Sequence, residues 1–239
     1  METPDNHIHD DSDDEIIEVV NKEAPPPSKW SGLPVRIASA VVLAALFIML
    51  LKTGGWLFNW FVFMAAMMMI REWNNLTDKE EAFLRLAGMF YVSIPCASLV
   101  WLRGLHNGME LVLYVMGCVV ATDIGAYFAG RQFGQHKLAP AISPGKTWEG
   151  LGGGMLAAGI VGGIAQLLTY FPASIAGGVL LGMTLAVVAQ CGDLFESWIK
   201  RRAGVKDSGT LIPGHGGLLD RIDGLIFTLP LFALMAALA

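Results

Sequence analysis

The hydrophobic pattern of the chain is a series of apolar runs, each near the length that crosses a bilayer, separated by short polar stretches. The runs lie near 35–51, 54–70, 84–101, 111–129, 151–171, 175–194 and 224–238. They predict an all-α polytopic membrane protein with about seven transmembrane helices. Two longer polar stretches, 131–149 and 196–223, interrupt the series. Where the sixth run ends, Gln190, Asp193, Ser197 and Lys200 recur at spacings of three and four, which places them on one stripe of a helix that continues past the membrane. The span 151–171 follows Gly150 and carries Gly154, Gly159 and Gly163, small residues at the spacing that lets helices approach closely. Helix packing is the expectation there, and a homodimer through the glycine-rich spans is a further hypothesis.

Composition agrees with the pattern. The chain is 54% hydrophobic and 15% charged, with a mean hydropathy of +0.53, too apolar for an ordinary soluble domain of 239 residues. Of its 16 Lys and Arg, all but Lys52 and Arg103 fall on one side when the N-terminus is placed inside, so the bias of cationic loops towards the cytoplasm puts both polar stretches there. The net charge of −5 comes mostly from the first stretch, where Glu2, Asp5, Asp10, Asp11, Asp13, Asp14, Glu15, Glu18 and Glu23 face Lys22. Residues 1–29 therefore read as an acidic, disordered cytoplasmic tail, and 30–239 as one membrane-embedded domain. The tail lacks a basic start followed by an early apolar segment and is not expected to be a cleaved signal peptide. Nothing here calls for a nucleic-acid partner. Cys96, Cys118 and Cys191 are scattered at no metal-ligand spacing and read as packing residues.

The chemistry lies in the polar stretches. A carboxylate beside hydrocarbon is costly unless paired or metal-bound, so Asp193 is a functional candidate; the plainer alternative is a helix end whose acid pairs with Lys200. Asp220 and Asp223, three apart beside Arg221, face the same way on a helix and join Asp193 as hard oxygen donors. Magnesium favours such a sparse set, completed by waters and substrate phosphates. One of the pair could instead cap the final helix. Between them, Gly214, Gly216 and Gly217 around His215 allow successive N–H groups to converge on an anion, with Lys200, Arg201, Arg202 and Lys206 supplying positive charge. In the other stretch, Gly145-Lys146-Thr147 resembles the end of a P-loop, but the glycine required five positions earlier is Pro140, which rejects Walker-type nucleotide binding. A lysine and a hydroxyl at a helix N-terminus remain, a candidate anion site. Asp123, the most membrane-embedded acid, falls near the cytoplasmic end of its span, within reach of the same place.

The segment Ser197-Trp-Ile-Lys-Arg through Lys206-Asp-Ser-Gly-Thr-Leu-Ile-Pro-Gly-His-Gly-Gly to Asp220-Arg-Ile-Asp223 resembles the signature of the phosphatidate cytidylyltransferases, the CDP-diacylglycerol synthases. Each specified position of that signature is filled, and the similarity extends to Asp123-Ile-Gly-Ala-Tyr127, Ser143-Pro-Gly-Lys-Thr-Trp-Glu-Gly150 and Gly192-Asp-Leu-Phe-Glu-Ser197. It covers about the C-terminal half closely and the earlier spans in hydropathy only. The resemblance implies that CTP and phosphatidate give CDP-diacylglycerol and pyrophosphate with magnesium, a second, monovalent cation being a further expectation. Carried over by position, it implies Asp193 and Asp220 as metal ligands and Asp223 as a further ligand or supporting acid. Asp220, Lys200 and Arg221 stand as catalytic candidates. Ser197, Lys200, Arg201, Lys206, Asp207, His215, Gly216, Gly217, Lys146, Ser143 and Asp123 stand as substrate contacts. The expected setting is an integral protein of the bacterial inner membrane with its site facing the cytoplasm. Two other classes remain. A CTP-dependent polyprenol kinase would need to deprotonate its attacking alcohol, and a transporter would leave the 197–223 segment without a purpose.

Overall fold

The computed structural model of the chain describes residues 33–77, 80–169, 174–209, 211 and 216–238, so the expected acidic tail lies outside the described residues. The helices are α1 (Leu33–Thr53), α2 (Gly55–Leu76), α3 (Ala82–Gly104), α4 (Gly108–Phe133), α5 (Trp148–Thr169), α6 (Ile175–Arg202) and α7 (Leu219–Leu238). Each predicted apolar run falls within one of them, apart from Gly54, which caps α2 instead of opening it, and the end of the fifth, whose last residues lie outside the described ones. Among the described residues, five helices, α3 to α7, are long and apolar enough to cross a membrane. α2 carries Asn59, Arg71, Glu72, Asn74 and Asn75 and is not among the five. α6, at 28 residues, is about 42 Å long and outreaches a hydrocarbon core of about 30 Å, which agrees with a helix that continues beyond the membrane.

The fold is all-helical apart from one short element. Between α4 and α5 the chain forms an antiparallel hairpin of β1 (Lys137–Ala139) and β2 (Ser143–Thr147). Lys137 pairs with Thr147 and Ala139 with Ser143, so β2 carries extra residues in a bulge. Pro144, which has no N–H to give a ladder, sits in that bulge. The Trp148 N–H donates to the His136 carbonyl at 3.0 Å and closes the hairpin onto α5. Thr147 then caps α5, its Oγ1 accepting from the Gly150 N–H at 3.0 Å, as a threonine before a helix commonly does.

The core is built by close helix approach. α5 packs between α4 and α6, and α7 lies against α6 and α3. A Cβ on Gly162 would sit 2.3 Å from the Gly178 carbonyl oxygen, and one on Gly178 would sit 2.6 Å from that of Gly162, so α5 and α6 meet backbone to backbone. On its other side α5 places Gly154 against Thr122 of α4. These glycine faces are spent inside the chain. Buried hydroxyls are satisfied locally, Thr122 donating to the Cys118 carbonyl and Thr228 to that of Gly224. Tyr114 donates across the core to the Gly178 carbonyl at 3.0 Å. At the end of the bundle where α1 meets α2, the Arg103 guanidinium donates to the Leu51 and Lys52 carbonyls, closing the last turn of α1.

Candidate active site

The opposite end of the bundle gathers the C-terminal parts of α2, α4 and α6, the N-terminal parts of α3, α5 and α7, and the hairpin. Most of the sequence-predicted polar residues meet there, because the chain reverses at each helix end and returns to this level.

One group surrounds Lys146. Its ammonium forms an ion pair with Asp193, with side chains 16% and 31% exposed. A cleft of about 200 Å³ lies beside the pair, lined by Asp123, Tyr127, Gly145, Lys146, Gln190 and Asp193 among others. Asp123 lies within the electrostatic field of both Asp193 and Lys146, and Asp223 within that of all three. Asp223 arrives because Gly192 lets α7 come close: a Cβ there would stand 2.5 Å from the Asp223 carbonyl oxygen. The expected stripe on α6 is present, with the Ser197 hydroxyl donating to Asp193 Oδ1 at 3.3 Å.

A second group surrounds Lys200. Its Nζ donates to Asp220 Oδ1 at 2.7 Å and to Glu196 Oε1 at 3.1 Å. These side chains are well covered, Lys200 at 13%, Asp220 at 7% and Glu196 at 2% exposed. Asp220 also accepts the Ser208 N–H at 2.9 Å and the Gly217 N–H at 2.8 Å. Asp220 and Asp223 share a helix face in sequence, yet Asp220 is turned back into its own loop while Asp223 sits in the field around Lys146. Beneath both groups Trp73, Tyr91, Phe195 and Phe227 form an aromatic floor, with ring centroids 4.9–6.5 Å apart. Such a floor keeps water away and strengthens every charge interaction above it.

The glycine-rich loop uses its N–H groups on the protein's own acids. Gly217 donates to Asp220, while Leu218 and Leu219 donate to Glu72 at 2.9 Å each. Gly216 has φ +85°, and a Cβ there would approach Asp220 Oδ2 to 2.8 Å, so both its backbone and its space call for glycine. Sequence reasoning missed Glu72 and Glu196, which are 6% and 1% exposed. Their signal was present: Glu72 closes an apolar helix beside Trp73, and Glu196 stands one turn before Lys200.

The remaining candidates lie at the rim. Arg201 donates to the Ile142 and Val205 carbonyls and so ties α6 to the hairpin, Arg202 pairs with Glu81, and Lys206, Asp207 and Arg221 are exposed. Ser143 opens β2 opposite Ala139. His215 lies outside the described residues. Among the described residues, no three His, Cys, Asp or Glu side chains are gathered closely enough to hold a metal ion by themselves. The donor chemistry nevertheless suits magnesium, since carboxylates at one cleft can supply one or two hard ligands while substrate phosphates and water supply the rest.

Carboxylates and lysines at the polar end of an apolar bundle are what an enzyme needs to handle phosphate groups at a bilayer surface. Comparison with known proteins narrows that class. Residues 77–239 match the cytidylyltransferase family. A phosphatidate cytidylyltransferase of Brucella suis is 36% identical over 87% of this chain and 94% of its own length. One of Rickettsia bellii is 37% identical over 84% of this chain and 89% of its own, and one of Rickettsia typhi 36% over 83% and 89%. The chain belongs to the cytidylyltransferase family.

Proposed function

We propose that the chain transfers CMP from CTP to phosphatidate, forming CDP-diacylglycerol and pyrophosphate, at the cleft that Asp123, Lys146 and Asp193 line, with Asp223 in their electrostatic field. The observation that carries the reading is that an acid of α4 and an acid of α6 line one cleft with a hairpin lysine, with Asp223 of α7 in their electrostatic field, at the polar end of apolar helices. Family membership supplies the nucleotide chemistry and the relatives' shared name the lipid substrate.

The reaction asks little covalent chemistry of the protein. A phosphate oxygen of the lipid attacks the α-phosphorus of CTP, a P–O bond forms, and the bond to the β-phosphate breaks as pyrophosphate leaves. A phosphomonoester is already anionic near neutral pH, so no strong base is required. The difficulty is bringing two polyanions together and stabilising the leaving pyrophosphate. Lys146 would meet the incoming triphosphate from the hairpin, and exposed Lys206, Arg201 and Arg221 add positive charge on the same polar side of the bundle. Asp193 and Asp223, with Asp123 beside them, would hold magnesium, which when bound neutralises phosphate charge and orients the triphosphate. Lys200 holds Asp220, and with it the first turn of α7, in place.

In this reading all seven helices cross the bacterial inner membrane and the site end faces the cytoplasm, where CTP is made and where the cationic loops belong. A homodimer would pair through a surface other than the glycine faces used between α4, α5 and α6. The test is direct: purified protein in detergent with CTP, phosphatidate and magnesium, assayed for CDP-lipid and pyrophosphate beside Asp223→Asn. Equimolar products made by the wild type and lost in the variant support the reading. A folded wild type that makes neither overturns it.

A further inference from the structure

Glu72 has no part in the reaction as described, lies before the residues matched to the family, and is nevertheless among the most heavily engaged carboxylates near the site. It projects from the end of α2, 6% exposed, and both of its oxygens are used. Oε1 accepts from the Leu218 N–H at 2.9 Å; Oε2 accepts from the Leu219 N–H at 2.9 Å and from the Ser208 hydroxyl at 3.2 Å. One side chain thus holds both edges of the 208–219 loop, and those partners lie 136 to 147 residues away in sequence.

The loop is shaped around this carboxylate. A Cβ on Gly217 would meet Glu72 Oε2 at 2.7 Å and Ser208 Oγ at 2.0 Å, and a Cβ on Gly209 would meet Glu72 Oε1 at 3.0 Å. Gly217 thus leaves the space that Ser208 and Glu72 share, and Gly209 lies tight against the same carboxylate. Its charge also stands at the N-terminus of α7, where unpaired N–H groups and the helix dipole favour an anion. Asp220 accepts from Ser208 and Gly217, the neighbours of the groups Glu72 holds, and Asp223 follows one turn later. Fixing 208, 218 and 219 thus fixes where α7 starts and where its two carboxylates point.

We propose that Glu72 is a positioning residue for the cytidylyl transfer: a clasp from α2 that sets the start of α7, and with it Asp220 and Asp223, in the geometry that receives the nucleotide. The proposal rests on the reaction assigned above and adds to it a residue that precedes residues 77–239. Glu72 acts through α7 and does not touch substrate.

The experiment compares wild type, Glu72→Gln and Ser208→Ala as full-length proteins in detergent, by steady-state kinetics and by hydrogen exchange of the 208–219 amides. Glutamine keeps the shape but replaces an acceptor by an NH₂ group that faces backbone donors. The expected result for Glu72→Gln is a fall in kcat of about tenfold or more and a rise in the magnesium concentration giving half-maximal rate. The KM for phosphatidate should stay within about twofold. Exchange at Leu218 and Leu219 should rise about tenfold while helices α4 to α6 stay protected. Ser208→Ala, which removes a single bond to the clasp, should move the same quantities in the same direction by less, and it carries the test if Glu72→Gln does not fold. Faster exchange with unchanged kcat and magnesium dependence overturns the positioning role, as does a loss of kcat with wild-type exchange. A wild type that makes no CDP-lipid overturns the reaction assignment instead, and the exchange arm then still decides whether Glu72 holds the loop.

Discussion

Lys200 Nζ lies 2.7 Å from Asp220 Oδ1, joining the last turns of α6 to the first turn of α7 across a sequence separation of 20. The same ammonium reaches Glu196, so a single cation serves two buried acids. Taking charges out of water is expensive, and an arrangement of this kind is stable only while each is compensated.

Replacing Lys200 with Met should therefore cost more than a lost contact. Two covered carboxylates would remain without their cation, and breaking such a pair destabilises by about 3 kcal/mol or more. The expected outcome is a clearly lower melting temperature in detergent together with loss of CDP-lipid formation. A variant that keeps wild-type stability and activity would show that the pair is incidental.

Lys146 and Asp193 should behave as a coupled unit. Lys146→Met and Asp193→Asn are each expected to lower kcat/KM for CTP by about a hundredfold, the size seen when one preorganised charge is removed from a phosphate or oxyanion site. Because the two side chains touch, the double variant should fall short of the product of the single losses. Strict additivity in that cycle would argue that they work apart.

Gly192→Ala tests how the carboxylates come together. The added methyl would stand 2.5 Å from the Asp223 carbonyl oxygen, a backbone atom that can yield only by moving α7. Overpacking of this kind costs about 1–3 kcal/mol. Activity should drop even in preparations that remain folded, because Asp193 on α6 and Asp223 on α7 are forced apart. Unchanged kcat would mean that their spacing does not matter.

Metal dependence is expected to be complete. Chelation should abolish pyrophosphate release and added magnesium should restore it, with helical content by circular dichroism unchanged throughout, since ion pairs and N–H groups hold the acids in the absence of metal. Titrating potassium separately reads the expected monovalent cation. Activity that persists in chelator would rule out a metal role for Asp193 and Asp223.

Much of this was written in the chain. Periodic apolar runs specify helices because a bilayer requires every backbone group to be bonded within its own segment, and those runs place α1 to α7 with errors only at their ends. The stripe from Gln190 to Lys200 was also legible, since it depends on spacing along one helix, whereas Thr147, read as part of an anion site, proves to cap α5. The hairpin at 137–147 was not legible, because it is short and its strand pairing is bulged at a proline.

What only the tertiary structure decided is which charge meets which. Asp193 with Lys146, Asp220 with Lys200, and Glu72 with the start of α7 are contacts between helices, fixed by where glycines such as Gly192 let backbones approach. Residue spacing carries no information about such distances. Sequence determined the membrane class, the level at which the polar residues collect and the chemistry they offer. The partition of the carboxylates between the cleft and the loop followed from close packing, because a buried acid takes the nearest cation or N–H group that the fold presents.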